Sequence, residues 1–167
     1  MAAGSTYTPI ATTTATGSQS SITFSSIPST YTDLVLVCNV ATATSTGNPR
    51  LQFNGDTGSN YSETTLYGSG SSAGSTRGSN ETSILLIATT YMNTTYDMNL
   101  IIQVQNYSNT TTNKTVLARA NKASAGVDQT VGLWRNTAAI NSLTIFSASG
   151  QNYSSTSTFT LYGIQAA

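Results

Sequence analysis

Few side chains in this sequence could take part in acid–base or nucleophilic chemistry. Histidine is absent, and the acidic residues are Asp33, Asp56, Glu63, Glu81, Asp97 and Asp128. General acid–base catalysis and glycoside hydrolysis need carboxylates held at a set separation, but the spacing of these six selects no pair. Asp33 and Asp128 stand at the starts of predicted strands and Asp56 in a predicted turn, where local capping accounts for each of them. The sequence therefore predicts no catalytic residue and no enzyme.

Two further positions could bind or react, and each has a simpler explanation. Cys38 is the only cysteine, no histidine exists to activate it and its neighbours are aliphatic, so an inert core thiol is expected. Residues 56–60 offer oxygen ligands of the kind calcium prefers. They include one carboxylate where strong calcium sites use several, so a plain turn is expected. No metal and no cofactor is predicted.

Composition points to a protein that acts by contact. Charged residues make up 7% of the chain and cancel to a net charge of zero, against roughly 25% charged residues in an ordinary soluble domain. Hydroxyl and amide side chains replace lysine and glutamate, which gives a weakly hydrated surface suited to lasting contact with another protein. Because no basic stripe exists to displace phosphate counterions, binding to nucleic acid is not expected.

No targeting segment is recognisable in the sequence. Its first residues contain neither a charged region nor an apolar run, so no secretory signal is predicted, and a single cysteine is compatible with synthesis in a reducing cytosol. The longest apolar run is too short for a membrane helix, so no membrane contact is expected. Sequons such as those at Asn60, Asn80, Asn93 and Asn109 are expected to be chance matches without glycans.

The elements that would position any site are predicted to be β-strands. The run Asp33–Val40 is the longest apolar stretch, and its Val content favours a strand over a helix. Its even-numbered residues face one way, while Val35 and Val37 face the other. A strand that is apolar on both faces is expected to lie between two covering layers, so this run is predicted to be the central strand.

Further strands are predicted wherever apolar residues alternate between turns rich in Ser, Gly and Asn. They span residues 7–15, 21–24, 49–54, 60–67, 81–88, 96–106, 114–122, 129–135, 143–146 and 158–164. Residues 68–80 are predicted to be a Gly/Ser loop, and residues 81–88 a strand buried on both faces. About ten evenly spaced strands without a helical period predict a single-domain, all-β antiparallel sandwich of jelly-roll type over residues 16–167.

Residues 1–15 are predicted to form an N-terminal arm or an edge strand. Pro9 cannot donate a ladder hydrogen bond, which suits either an edge strand or an arm laid on a neighbouring subunit. Tyr7, Pro9 and Ile10 are the first residues able to bury surface, so they are expected to contact a partner.

Three aromatic residues complete the predicted contact set. They are Tyr61, Tyr67 and Trp134. Tyrosine and tryptophan are common in protein interfaces, in sandwich cores and on sugar-binding surfaces alike. Trp134 is equally compatible with a core position and with a contact.

Several pieces of the sequence together resemble a known family. They are residues 21–28 (SITFSSIP) running into 31–36 (YTDLVL), residues 51–56 (LQFNGD) followed by Tyr61, residues 132–135 (GLWR) with 140–142 (INS), and residues 159–164 (FTLYGI). In this order, and over nearly the whole chain, they resemble small virion structural proteins of tailed phages, especially phages of aquatic bacteria and cyanobacteria. The resemblance implies a jelly-roll domain that serves as a capsid decoration (cement) protein or as a module of a tail or fibre protein.

The absence of a coiled-coil collar and of a long fibre repeat favours the decoration protein. In that role the chain is expected to be a homotrimer on the capsid surface, made in the host cytoplasm and bound to the major capsid protein. It would add buried area that must be broken before the shell opens, and so stabilise the assembled state by mass action. The alternative is a carbohydrate- or receptor-binding module of a tail fibre, in which tyrosines and Trp134 would stack on sugar rings.

Overall fold

The computed structural model describes residues 6–89, 91–95, 97–122 and 124–165. Over these residues the chain is all-β, with twelve strands in two antiparallel sheets and no helix. In chain order the strands are β1 (Tyr7–Thr14), β2 (Ser21–Phe24), β3 (Asp33–Val40), β4 (Pro49–Phe53), β5 (Tyr61–Gly68), β6 (Ala73–Glu81), β7 (Ile84–Leu85), β8 (Met98–Gln105), β9 (Lys114–Lys122), β10 (Gly126–Trp134), β11 (Leu143–Ser147) and β12 (Thr158–Ile164). The predicted antiparallel β-sandwich is confirmed, and the predicted bounds of β2, β3, β9 and β12 coincide with the observed ones.

The two sheets differ in width. The large sheet has eight strands in the order β1-β12-β3-β8-β9-β10-β5-β6, and the small sheet has four in the order β2-β11-β4-β7. If the hairpins β5–β6 and β9–β10 are set aside and the other strands are numbered consecutively, the orders become 1-8-3-6 and 2-7-4-5. This is the strand order of a jelly roll. The two hairpins are insertions that widen the large sheet beyond β8.

β3 lies inside the large sheet, hydrogen-bonded to β12 on one side and to β8 on the other. Leu36 is 1% exposed and, with the other even-numbered residues of β3, points into the core between the sheets. On the opposite, outer face Val35 is 5% exposed but Val37 is 38% exposed. The prediction of a second covering layer is therefore wrong, because no element of the described chain packs over the outer face at Val37.

Two segments between β4 and β8 differ from their predicted structure. β6 (Ala73–Glu81) is a strand rather than a loop, and it pairs along the whole of β5 at the edge of the large sheet. An edge strand with both faces open to water needs no apolar alternation, so its Gly/Ser sequence carries no strand pattern. Of the predicted strand 81–88, Glu81 belongs to the end of β6 and only Ile84–Leu85 forms a strand of its own, although Leu86 and Ile87 are fully buried.

The N-terminal segment is an edge strand of its own domain. β1 pairs with β12 over its whole length, with a bulge between Pro9 and Ala11. A proline and a bulge are devices that keep an open sheet edge from pairing with other chains. Residues 1–5, which belong to the predicted arm, lie outside the described residues. No helix in the described part of the chain is long and apolar enough to cross a membrane.

The two faces of β3 respond differently to truncation. We expect Leu36→Ala to lower the free energy of unfolding by about 2–4 kcal/mol, because it opens a cavity between the sheets. Val37→Ala, on the uncovered face, should cost less than about 1 kcal/mol. Urea denaturation of the two variants beside the unmodified protein measures both values. Equal losses at the two positions would contradict the uncovered outer face.

Candidate functional site

The outer face of the large sheet carries a compact group of exposed aliphatic side chains. Val127 and Val131 on β10 pair with Gly68 and Thr64 on β5, so Leu66 lies diagonally between the two valines. Leu66, Val127 and Val131 are 58%, 57% and 57% exposed. We call these three residues the apolar triad. Contiguous exposed aliphatic side chains of this kind mark an interaction surface more often than isolated ones do.

The triad continues into a stripe that crosses the sheet. Val131 pairs with Leu117 on β9, and Ile101 on β8 pairs with Val37 on β3. Leu117 pairs with Gln103, two residues beyond Ile101, so Leu117 and Ile101 are diagonal neighbours. The apolar stripe consists of Leu66, Val127, Val131, Leu117, Ile101 and Val37, on strands β5, β10, β9, β8 and β3. Because it lies on paired strands, its side chains are held in a fixed pattern.

A groove of about 770 Å³ lies over the stripe near the turns of the two inserted hairpins. Leu66, Val127 and Ile101 supply its apolar lining, and Arg119 and Gln129 are among its polar residues. Asn99 and Asn121 also line the groove, and they stand directly opposite one another in the sheet, with Asn39 opposite Asn99 on the other side. The groove therefore combines aliphatic carbon with a row of amides and one guanidinium.

On the inner face, the strands that carry the stripe are held by buried polar side chains. Oδ1 of Asp128 accepts hydrogen bonds from the backbone N–H groups of Ala88 (2.9 Å) and Thr89 (3.1 Å). Asp128 is 2% exposed. The expectation that Asp128 serves as a local strand cap is wrong, since its partners lie about forty residues earlier in the chain.

Two buried lysines serve the same purpose on β9. Nζ of Lys114 donates to the carbonyls of Thr112 (2.8 Å) and Thr137 (3.0 Å), and Nζ of Lys122 donates to the carbonyl of Tyr91 (2.5 Å). Burial lowers the pKa of both lysines. These cations satisfy loop carbonyls and do not reach the groove side of the sheet, because they face inward with the buried positions of β9.

The structure corrects two of the predicted contact residues. Tyr61 and Trp134 are both completely buried. Their rings stack at a centroid distance of 6.3 Å with an interplanar angle of 15°, and Nε1 of Trp134 donates to Oδ2 of Asp56 at 2.7 Å. Neither ring can contact a partner or stack on a sugar, so the core interpretation of Trp134 is the correct one and the contact interpretation of Tyr61 is wrong.

The other predicted contacts lie at separate places on the large sheet. Tyr7 is 54% exposed and packs edge-on against Tyr162 at 6.0 Å, and Pro9 is exposed beside it. Ile10 is half-buried against the core. Tyr67 is half-buried at the groove, near the opposite edge of the sheet. Tyr7 and Pro9 are therefore not brought together with Tyr67.

Asp56 and Cys38 have surroundings typical of residues that stabilise a fold. Burial alone would raise the pKa of Asp56, but hydrogen bonds from Trp134, Asn60 and Gly58 outweigh it and lower the pKa. These donors occupy the oxygens that a cation would need, and no group of three potential metal-binding residues occurs in the described chain. Burial raises the pKa of the Cys38 thiol, as for a thiol that stays protonated and unreactive.

No family model, curated protein or solved structure matches this chain.

Glu63 is the buried acid without a complete set of partners. It lies on the inner face of β5, is 7% exposed, and its Oε2 has no hydrogen-bond partner among the described residues. Burial raises the pKa of Glu63. The negative charge of Glu81 raises the pKa further. The hydrogen bond from the Leu85 N–H and the positive charge of Arg50 lower it, but the net effect is a raised pKa. The charged carboxylate therefore destabilises the fold at neutral pH.

Glu63→Gln should raise the free energy of unfolding at pH 8 by about 1 kcal/mol, because it removes a buried, incompletely bonded charge. A raised pKa in the folded state means that the cost of Glu63 appears as pH rises through that pKa. The gain should therefore vanish below about pH 4, where the carboxyl is protonated in both folded and unfolded chains. Thermal melts from pH 4 to 8 test this, and a gain that is independent of pH would contradict it.

Asp56→Asn should act in the opposite direction. Loss of the charged acceptor for Trp134 is expected to cost about 1–3 kcal/mol at pH 7. Because the folded-state pKa of Asp56 is lowered, the contribution of its charge is present above the ordinary aspartate pKa and is lost as pH falls through the folded-state value. The difference between variant and unmodified protein should shrink in acid. Intrinsic tryptophan fluorescence during denaturation reports it directly, and a difference that grew in acid would be inconsistent with this role.

Proposed function

We propose that this protein is a structural component of a phage virion, in the form of a capsid decoration protein that binds the assembled shell and bridges coat subunits. The observation that carries the proposal is the apolar stripe on the outer face of the large sheet. Its triad residues are more than half exposed on a face that no described element covers. Leaving such a surface open to water is unfavourable, and contact with another protein relieves it.

The remaining features of the chain suit a permanent contact. Only 7% of its residues are charged, and the net charge is zero, so little charge must be desolvated on binding. The stripe lies on five hydrogen-bonded strands, so binding orders few flexible groups. A ligand that binds only the assembled shell stabilises it, by about 2.7 kcal/mol per site at a hundredfold excess over its dissociation constant.

Bridging requires two separate contacts, and the large sheet has room for them. Tyr7 and Pro9 lie on β1 at one edge, and the triad lies on β5 and β10 near the other. Six inter-strand spacings separate β1 from β5, which at roughly 4.8 Å each places the two surfaces about 29 Å apart. One surface could bind the major capsid protein and the other a second coat subunit or a neighbouring copy in the homotrimer that we propose.

The alternative function is a carbohydrate- or receptor-binding module of a tail fibre. The amides and Arg119 in the groove favour it, since such groups hydrogen-bond sugar hydroxyls. Against it, Tyr61 and Trp134 are buried and cannot provide a stacking platform. The aliphatic character of the triad fits a protein partner better than a sugar ring.

Polar replacement of two triad residues should weaken decoration without unfolding the protein. We expect the double variant Leu66→Ser/Val131→Ser to keep its melting temperature within a few degrees, because both side chains are already in water, but to bind undecorated shells at least about tenfold more weakly. Co-sedimentation with empty shells of the phage that encodes this chain measures binding. Tyr91→Ser, which changes a 44% exposed ring outside the stripe, is the matched control.

The same preparation separates the two functions. Decoration predicts that shells with bound protein open at a higher temperature than bare shells, and that adsorption to host cells does not change. Binding to a glycan array or to host cells without affinity for shells would overturn the decoration proposal and favour the fibre module.

A further inference from the structure

Two arginines stand apart from the rest of the charged side chains. Within the described chain, hydrogen bonds or ion pairs engage every charged side chain except Arg77 and Arg119. The engaged ones are Asp33, Asp56, Glu63, Glu81, Asp97 and Asp128 among the acids and Arg50, Lys114, Lys122 and Arg135 among the bases. In a chain with so few charges, two unpaired guanidiniums are a distinctive feature.

Both arginines are neighbours of the apolar triad. Arg77 on β6 pairs with Thr64, which places it diagonally beside Leu66. Arg119 on β9 pairs with Gln129, which lies between Val127 and Val131 on β10. The triad is thus flanked by one exposed guanidinium on each side, and Arg119 also lines the groove.

Neither arginine has a carboxylate within ion-pair distance among the described residues. Asp97 and Asp33 are at the ends of strands β8 and β3, where Oδ2 of Asp97 accepts from the Asn39 side chain at 3.1 Å and Oδ1 of Asp33 accepts from the Asn106 N–H at 2.7 Å. A partner that covered the triad would also desolvate Arg77 and Arg119. Covering a guanidinium without giving it an acceptor is costly, and a carboxylate is the acceptor that binds a guanidinium most strongly, so we expect acidic partner residues at these two places.

We infer that the occupant of this face is an apolar protein surface flanked by Asp or Glu carboxylates. The inference rests on the proposed function and specifies the chemistry of the coat-protein surface that the stripe would bind. A second copy of this chain fits less well, because Asp33 and Asp97, the acids at the ends of β3 and β8, already accept hydrogen bonds from Asn106 and Asn39. An anionic polysaccharide matches the guanidiniums but not the aliphatic triad between them.

The first test is the salt dependence of binding to empty shells. Arg77→Gln and Arg119→Gln should each weaken co-sedimentation by about three- to tenfold at 50 mM NaCl, and the unmodified protein should lose affinity more steeply than either variant between about 50 and 300 mM. Arg119→Lys keeps the charge and should retain most of the affinity. Ser21→Glu makes the same change in net charge on an exposed position of the small sheet and should change nothing.

The second test needs no shell, so it separates failure of the inference from failure of the proposed function. Dodecanoate joins an apolar chain to a carboxylate, and dodecyltrimethylammonium joins the same chain to a cation. At pH 8 and below micelle formation, dodecanoate should shift the amide NMR signals of β5, β9 and β10 at about tenfold lower concentration than the ammonium compound. The double variant Arg77→Gln/Arg119→Gln should lose this preference.

Four results of these tests would each support or overturn the inferred partner chemistry. Shell binding that is insensitive to salt and to both arginine variants would overturn the inference while leaving the decoration proposal intact. Equal binding of the two amphiphiles would also overturn it. Failure to bind shells, together with a clear preference for dodecanoate, would reject decoration but support the acidic partner chemistry. Saturable binding of alginate that depends on both arginines, without binding of dodecanoate, would assign the face to an anionic glycan and reject a protein occupant.

Discussion

A sheet of four strands cannot cover the inner face of a sheet of eight, and much of this structure follows from that mismatch. The jelly-roll strands of the large sheet have the small sheet opposite them. The inserted strands β5 and β10 lie against β7, the edge strand of the small sheet, and β10 also holds the irregular segment that follows β7, which includes the buried residues Leu86 and Ile87. Irregular backbone has no ladder partners, so its polar groups must be bonded in some other way when they are buried.

The inserted strands provide those partners from their inner faces. The hydroxyl of Thr130 donates to the Leu86 carbonyl at 3.2 Å, and Asp128 accepts from the backbone N–H groups of Ala88 and Thr89 in the same segment. Lys114 and Lys122 do the same for carbonyls of other loops. Positions that would be aliphatic in an ordinary sandwich core are therefore polar here, and each is tied to a loop that it holds over the sheet.

This arrangement reverses the usual pattern on β10. Its inward residues include Asp128 and Thr130, while Val127 and Val131 point to solvent. Folding gains little from valines in that position, and the fold would tolerate polar residues there. The exposed valines are better explained by a contact with another molecule, which is why the stripe rather than any buried cluster carries the functional proposal. The same reasoning applies to Arg77 and Arg119 beside the stripe. Neither forms an ion pair within the described chain, so folding does not explain their presence there.

The sequence by itself determined the fold class and most strand positions, because alternation with period two is a local property that a short window reveals. It also determined the inward face of β3, and with it the buried position of Cys38. It did not reveal β6, since an edge strand of small polar residues has no alternation to detect.

Only the tertiary structure decided which strands pair, and therefore that Leu66 meets Val127 and Val131, that Tyr61 and Trp134 close over Asp56, and that Val37 is left uncovered. The physical reason is that a side chain's exposure depends on what the rest of the chain places over it, and contacts between residues far apart in sequence leave no local pattern.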